Sequence, residues 1–173
     1  VFSRIYGIRA IGLRYFNVYG TGEDHKHDMS SPVHKFIKQS KEESEIRVFQ
    51  GSENYMRDFI HVSDLVNALI KIAEKGKNLE SYNIASGKET SVNTVANLIG
   101  GKKIQIPERP GEPKRSLGDI DKIKSELNWK PKTTIEEGIK DLLNNIDDWK
   151  SAPVWTPEKI EKETEVWFKL LKK

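Results

Sequence analysis

The 173-residue chain contains no cysteine. Disulfides, thiolate metal sites and cysteine nucleophiles are therefore excluded outright. No apolar run approaches the ~20 residues that cross a bilayer, and no basic stretch followed by an apolar core marks a signal peptide. No membrane partner is expected. Charge of one sign is also scarce: 29 basic residues against 26 acidic ones give a net charge of +3. A nucleic-acid binder would concentrate a basic stripe on one face, so nucleic acid is not expected either. At 36% hydrophobic and 32% charged residues, the composition suits a globular domain with well-solvated helix faces.

Several motifs are missing. No Gly-x-x-Gly-x-x-Gly or Gly-x-Gly-x-x-Gly occurs; the nearest candidate, Gly20-Thr21-Gly22, is followed by His25. The chain thus has no recognisable turn that cradles a pyrophosphate. None of the five tyrosines has a lysine four residues later, the +4 positions being Ala10, Tyr19, Glu23, Phe59 and Ser86. Nucleophile elbows, Walker loops and zinc helices are absent as well.

Helical and β patterns alternate along what is present, which predicts an α/β fold. Residues 8–19 read as one buried strand ending at Gly20, and 20–31 as a polar loop. Ser31-Pro32 caps a helix with Val33, Phe36 and Ile37 on its apolar stripe. Ile46–Phe49 is a short strand, 51–54 a turn and Arg57–Val62 another strand. Ser63 or Asp64 caps a helix whose apolar residues are Leu65, Val66, Leu69, Ile70 and Ile72, closed at Gly76. Tyr82–Ala85 and Lys103–Ile106 are strands flanking a helix from Ser91 to Ile99. Residues 109–118 form a Pro/Gly-rich loop. Helices follow at 119–127, 135–149 and 157–171, so that a main body over 1–150 carries a charged helical tail over 151–173. The opening Val1–Gly7 reads as the end of a helix, so the chain is expected to begin within a domain.

Arginines at loops supply the first candidate chemistry. Arg57 follows a turn, and Arg109 and Arg115 flank a Pro-Gly-Glu-Pro stretch. Guanidinium groups bind phosphate oxygens bidentately, so two arginines from separate loops could clamp a diphosphate. The plainer reading pairs Arg57 with Asp58 or Asp64, and Arg109 with Glu108 or Glu112. Phe49 is open to two readings, a core residue or a platform for a base. His25-Lys26-His27-Asp28 carries ligand types but suggests no third or fourth ligand, so no metal is expected. Lys26 could donate a proton or hold a phosphate.

Taken in order, five segments resemble a family. They are Leu13-Arg14-Tyr15-Phe16-Asn17-Val18-Tyr19-Gly20, Arg57-Asp58-Phe59-Ile60-His61-Val62-Ser63-Asp64, Tyr82-Asn83-Ile84-Ala85-Ser86-Gly87, Arg109-Pro110-Gly111-Glu112 and Leu127-Asn128-Trp129-Lys130-Pro131. Together they look like the C-terminal part of an extended short-chain dehydrogenase/reductase of the NAD-dependent epimerase/dehydratase family. The resemblance implies the C-terminal part of a doubly wound Rossmann-type sheet plus a small α/β substrate-binding domain, without the N-terminal dinucleotide-binding half. It implies a nucleotide-diphosphate sugar as substrate, and NAD or NADP bound mostly by that other half. It further implies a cytoplasmic protein that forms a homo-oligomer or associates with an N-terminal half, inactive by itself.

The resemblance also implies residue roles. Phe16 matches a residue beside the nicotinamide, and Asn17 a substrate contact. Arg57 and Arg109 match the arginines that hold the diphosphate. Asn17–Gly20, His25-Lys26, Met29–Ser31 and Phe49–Tyr55 look most like the ADP-glycero-manno-heptose 6-epimerase branch. By that match Lys26 is an active-site lysine, and Phe49, Gln50, Gly51 and Ser52 join Arg57 in binding substrate. Asp28, Lys35 and Ser116 depart from the branch pattern, which has serine, histidine and tyrosine there, and the Arg109–Glu112 loop resembles the galactose-epimerase or dehydratase branches. Sugar-nucleotide epimerisation is thus the expected function. Alternatives are a 4,6-dehydratase, a UDP-glucose 4-epimerase, or a non-enzymatic module that binds a nucleotide or another chain.

Overall fold

The computed structural model describes residues 1–23, 26, 29–108 and 111–145. After a short helix α1 (Phe2–Tyr6), the chain forms β1 (Gly12–Tyr15) and β2 (Asn17–Tyr19). The expected single strand over 8–19 is therefore broken at Phe16. The reason is a change of partner: β1 runs parallel to β6 (Ser81–Ile84), whereas β2 runs parallel to β5 (Phe59–His61). Phe16 N–H still reaches Ile84 O (3.3 Å), but Asn17 N–H turns to Asp58 O (3.1 Å). Nor is β1 buried: Tyr15 is 52% exposed.

Helix α2 (Pro32–Glu43) starts as its sequence requires, with Ser31 accepting from His34 N–H and proline at the first position. It leads into β3 (Glu45–Phe49), which pairs in parallel with β8 (Lys102–Ile106). A fourth small sheet sets β4 (Met56–Arg57) between β7 (Thr90–Ser91) and β9 (Arg115–Ser116), antiparallel to the first and parallel to the second. Helices α3 (Val62–Lys75), α4 (Val92–Ile99), α5 (Asp121–Leu127) and α6 (Ile135–Asn144) pack around these strands. The helix anticipated over 135–149 thus reaches Asn144; its last residues, and the tail over 151–173, lie outside the described residues.

Two apolar clusters meet at β5. Phe59 faces one, with Tyr19, Val33, Ile37, Ile46 and Val95. Its neighbour Ile60 faces the other, with Ile72, Tyr82, Ile84, Ile123 and Trp129. The alternation of a strand divides these two residues between the cores. Helix α3 differs from its expectation in two respects. His61, rather than Ser63 or Asp64, is its N-cap, accepting from Ser63 N–H at 3.4 Å. Asp64 is buried because its carboxylate takes the backbone N–H groups of Lys132 (3.0 Å) and Thr133 (2.9 Å). Val66 and Ile70 face solvent at 48% and 54% exposure, so the inward stripe is Ala68 and Ile72 with Leu65 and Leu69 beside it. Among the described residues, no helix is long and apolar enough to cross a membrane.

Candidate functional site

A pocket of about 290 Å³ opens between α2, β3, the 3₁₀ turn Ser52–Asn54 and β4. The strand pattern builds its wall. Ile46 and Val48 turn into the core, so Arg47 and Phe49 fall on the opposite face. Phe49, Ser52 and Arg57 line the pocket, together with Lys35, Gln39, Tyr55 and Glu112. Phe49 is therefore a wall residue rather than a core residue. Ring, hydroxyl and guanidinium are brought to one cavity from three separate elements.

Arg57 is only 8% exposed. Its Nη2 donates to Glu112 Oε1 at 2.6 Å, and Nη1 donates to Met56 O at 2.9 Å. Tyr55 stacks below it, with the ring centroid 5.9 Å from the guanidinium carbon. The hydroxyl of Tyr55 donates to Glu108. The simple reading of Arg57 as an ion-paired residue is right in kind but not in partner. Neither Asp58 nor Asp64 is available, because each carboxylate is engaged elsewhere. A guanidinium has five N–H donors, so one held at its edge by Glu112 keeps donors for an anion in the pocket.

Asp58 is completely buried. Its Oδ1 accepts from Ser86 N–H (2.7 Å) and Ser86 Oγ–H (2.6 Å), and its Oδ2 from Gly87 N–H (2.9 Å) and Gly118 N–H (3.1 Å). Four donors on one carboxylate fasten two loops to β4 and β5. The sequence carried this residue in its Arg-Asp-Phe segment without revealing the partners, which lie 28 to 60 residues away.

The other expected site residues lie apart from the pocket lining. Asn17 donates through Nδ2 to Asp58 O at 2.9 Å. Phe16, half-buried, packs beside Gly118, where a Cβ would come within 3.1 Å of its ring. Both residues follow the C-terminal end of β1, next to Ala85-Ser86-Gly87 at the end of the parallel β6. In open α/β sheets ligands bind at that edge of the strands. A half-buried ring such as Phe16 at that edge could meet a flat cofactor ring. Lys26 lies beside Glu23, 4.0 Å between Nζ and Oε2. Glu23 is itself pinned by Ser31 N–H and Oγ–H (2.7 and 2.8 Å) and by Gly20 N–H (3.3 Å). Gln50 and Gly51 form the turn after β3, with Gln50 N–H on Ile106 O (3.0 Å). Arg109, His25, His27 and Asp28 lie outside the described residues.

The sequence named Tyr55, Glu112 and Lys35 without placing them in this pocket, and it did not mark Gln39. The only available signal was for Tyr55, two residues before Arg57 on a strand approach and hence on the same face.

Two groups near β2 have shifted acidities. Burial and the neighbouring Asp64 carboxylate push the Tyr19 hydroxyl well above the usual tyrosine range, so it is a neutral donor to Thr134 O (3.3 Å). Burial also pulls His61 below its ordinary value, against the opposing fields of Asp64 and Asp141.

Residues 1–142 match the family model described as GDP-mannose 4,6 dehydratase. The putative UDP-glucose 4-epimerase of Methanocaldococcus jannaschii is 40% identical over 151 residues, which is 83% of this chain and 48% of that protein. The ADP-L-glycero-D-manno-heptose-6-epimerase of Alkalilimnicola ehrlichii is 38% identical over 96 residues, 53% of this chain and 30% of its own. Among solved structures, the Thermotoga maritima UDP-glucose 4-epimerase with UDP-glucose superposes with a TM-score of 0.78 and 32% identity, over 85% of this chain and 48% of the other. The Bacillus cereus UDP-glucuronic acid 4-epimerase in complex with UDP-glucuronic acid and NAD gives 0.72 and 25%, over 85% and 48%. The chain thus spans about half the length of the relatives it matches.

Proposed function

Because the chain belongs to the GDP-mannose 4,6-dehydratase family of extended short-chain dehydrogenases/reductases, we propose that it forms the substrate-binding portion of an NAD(P)-dependent nucleotide-sugar epimerase. The observation that carries this reading is the buried Arg57 in a pocket walled by Phe49 and Ser52. A nucleoside-diphosphate sugar needs three things of such a site: a flat apolar surface for its base, a fixed cation for its diphosphate, and an exit for the sugar. Phe49 offers the first. Arg57, oriented by Glu112 and Tyr55, offers the second, with Arg109 as its expected companion. Ser52 would meet the phosphates, with Gln50 and Gly51 in the turn that carries it.

Phe16 and Asn17 would then face the reacting end, Phe16 against the nicotinamide and Asn17 against the sugar. Bound NAD or NADP would serve as temporary hydride acceptor, held mostly by residues outside this sequence. Lys26 is the candidate for a second proton-handling group. Its ammonium, beside the Glu23 carboxylate, could deliver a proton to the sugar. The heptose, glucose and glucuronic acid names of the relatives all support a nucleotide sugar and leave its identity to experiment. The family model's description favours a second reading, a 4,6-dehydratase.

A thermal-shift titration with ADP-, UDP-, GDP- and dTDP-sugars tests the site. One nucleotide sugar is expected to raise the melting temperature by mass action, and Arg57→Ala to abolish the rise. A shift that survives in Arg57→Ala would refute the assignment of the diphosphate to this pocket. The chain alone, supplied with that sugar and NAD+, is expected to yield no epimer, since it has no Tyr-x-x-x-Lys pair. Product formation would overturn that expectation.

A further inference from the structure

A second cavity, of about 490 Å³, lies on the flank formed by α3, α5 and the segment after α5. Its chemistry is one-sided. Lys71 of α3, Lys124 of α5, and Lys130 and Lys132 of the connecting segment line it, with Asn67 and Asn128 between them and Trp129 in its wall. Among the described residues, no carboxylate lines it. Lys124 pairs with Asp121, whose carboxylate sits 3.6 Å away and is 87% exposed.

Lysines on a solvated face normally diverge, because like charges repel. Here the backbone forces them together. Asn128 adopts a left-handed conformation (φ 46°) that ends α5 and turns the chain back. Asp64 then fastens Lys132 and Thr133 to the start of α3 through their N–H groups. Lys71 Nζ donates to Asn128 O at 3.0 Å, tying the turn to the middle of the same helix. Trp129 adds an independent sign. It is 2% exposed, yet its indole N–H has no acceptor among the described residues. A buried donor left without a partner is costly unless something answers it.

We propose that this cavity binds a small phosphate-bearing polyanion, one with at least two phosphate charges, independently of the Arg57 pocket. Phosphate suits the donor set. Ammonium groups are flexible point charges that gather around a multiply charged anion, whereas a planar carboxylate is better met by the guanidinium fork that this cavity lacks.

Inorganic pyrophosphate is the probe. In a ¹H–¹⁵N titration of the chain, the Trp129 indole resonance, assigned through its backbone, should move saturably. Sodium chloride at matched ionic strength should not reproduce the movement. The double variant K130Q/K132Q removes two charges from exposed positions without touching the Asp64 contacts, which are made by backbone. It should melt like the parent and bind pyrophosphate at least about tenfold more weakly. In Arg57→Ala the movement should persist. The proposal fails if the Trp129 resonance stays in place, if chloride moves it equally, if K130Q/K132Q binds as tightly as the parent, or if Arg57→Ala abolishes the response.

Discussion

Asp58 is buried with four donors on it. Replacing it by asparagine turns one acceptor oxygen into an NH₂ facing N–H groups, so at least two donors lose their partner. Each buried unsatisfied group costs about 1–3 kcal/mol, and Asp58→Asn should lose roughly 3 kcal/mol of stability in urea titrations. An unchanged midpoint would mean that the loops at 86–87 and 118 are held by something else. His61 gives a pH signature at the same scale. Burial lowers its folded pKa, so the unfolded chain takes up a proton more readily. Its contribution is fully present above the unfolded value of about 6.5 and is lost as pH falls below that. Asp64 and Asp141 oppose the shift and moderate the loss. The wild type should destabilise on acidification through that window more steeply than His61→Gln. Parallel pH curves for the two proteins would remove His61 as the cause.

At the level of elements, α6 is joined to β2 through a missing side chain. A Cβ at Gly138 would come within 2.2 Å of the Tyr19 hydroxyl. In an exposed helix, glycine to alanine gains about 1 kcal/mol. Gly138→Ala should instead destabilise, and Tyr19→Phe in the same chain should return part of the loss, because the nearest clash is with the hydroxyl. If Gly138→Ala melts higher than the parent, the close approach is wrong. The elements themselves were largely legible, because their signals are local. The caps at Ser31 and Ser91 and the strand at 46–49 formed as read. The failures have non-local causes. The break at Phe16 depends on which strand lies alongside, and no pattern within 8–19 encodes that. Likewise, Val66 and Ile70 are as apolar as Leu65 and Leu69, and only the tertiary arrangement decides which stripe of α3 turns inward.

At the scale of the whole molecule, two apolar cores flank β5, and the pocket at β3 borders the first of them. The resemblance in the sequence carried the family and three of the pocket residues, Phe49, Ser52 and Arg57. It could not supply Glu112 as the partner of Arg57, since 55 residues separate them and several acids compete in the sequence. Cutting into the first core tests how far the pocket depends on it. Ile37 is fully buried in α2, and Ile37→Ala should cost about 2–5 kcal/mol. Because α2 also contributes Lys35 and Phe36 to the pocket wall, the variant should lose nucleotide-sugar affinity along with stability. Unaltered affinity at a temperature where the variant is folded would show that the wall is set by β3 and β4 alone.

Arg57 and Asp58 are consecutive, yet one side chain enters the pocket while the other grips the loops at Ser86–Gly87 and Gly118. A single peptide plane is thus the shared axle of two structures. Tightening one end restrains the other. Occupying the pocket should slow solvent deuterium uptake at the amides of Ser86, Gly87 and Gly118, although none of these residues lines it, and so carry news of a bound nucleotide to the strand ends where Phe16 and Asn17 wait.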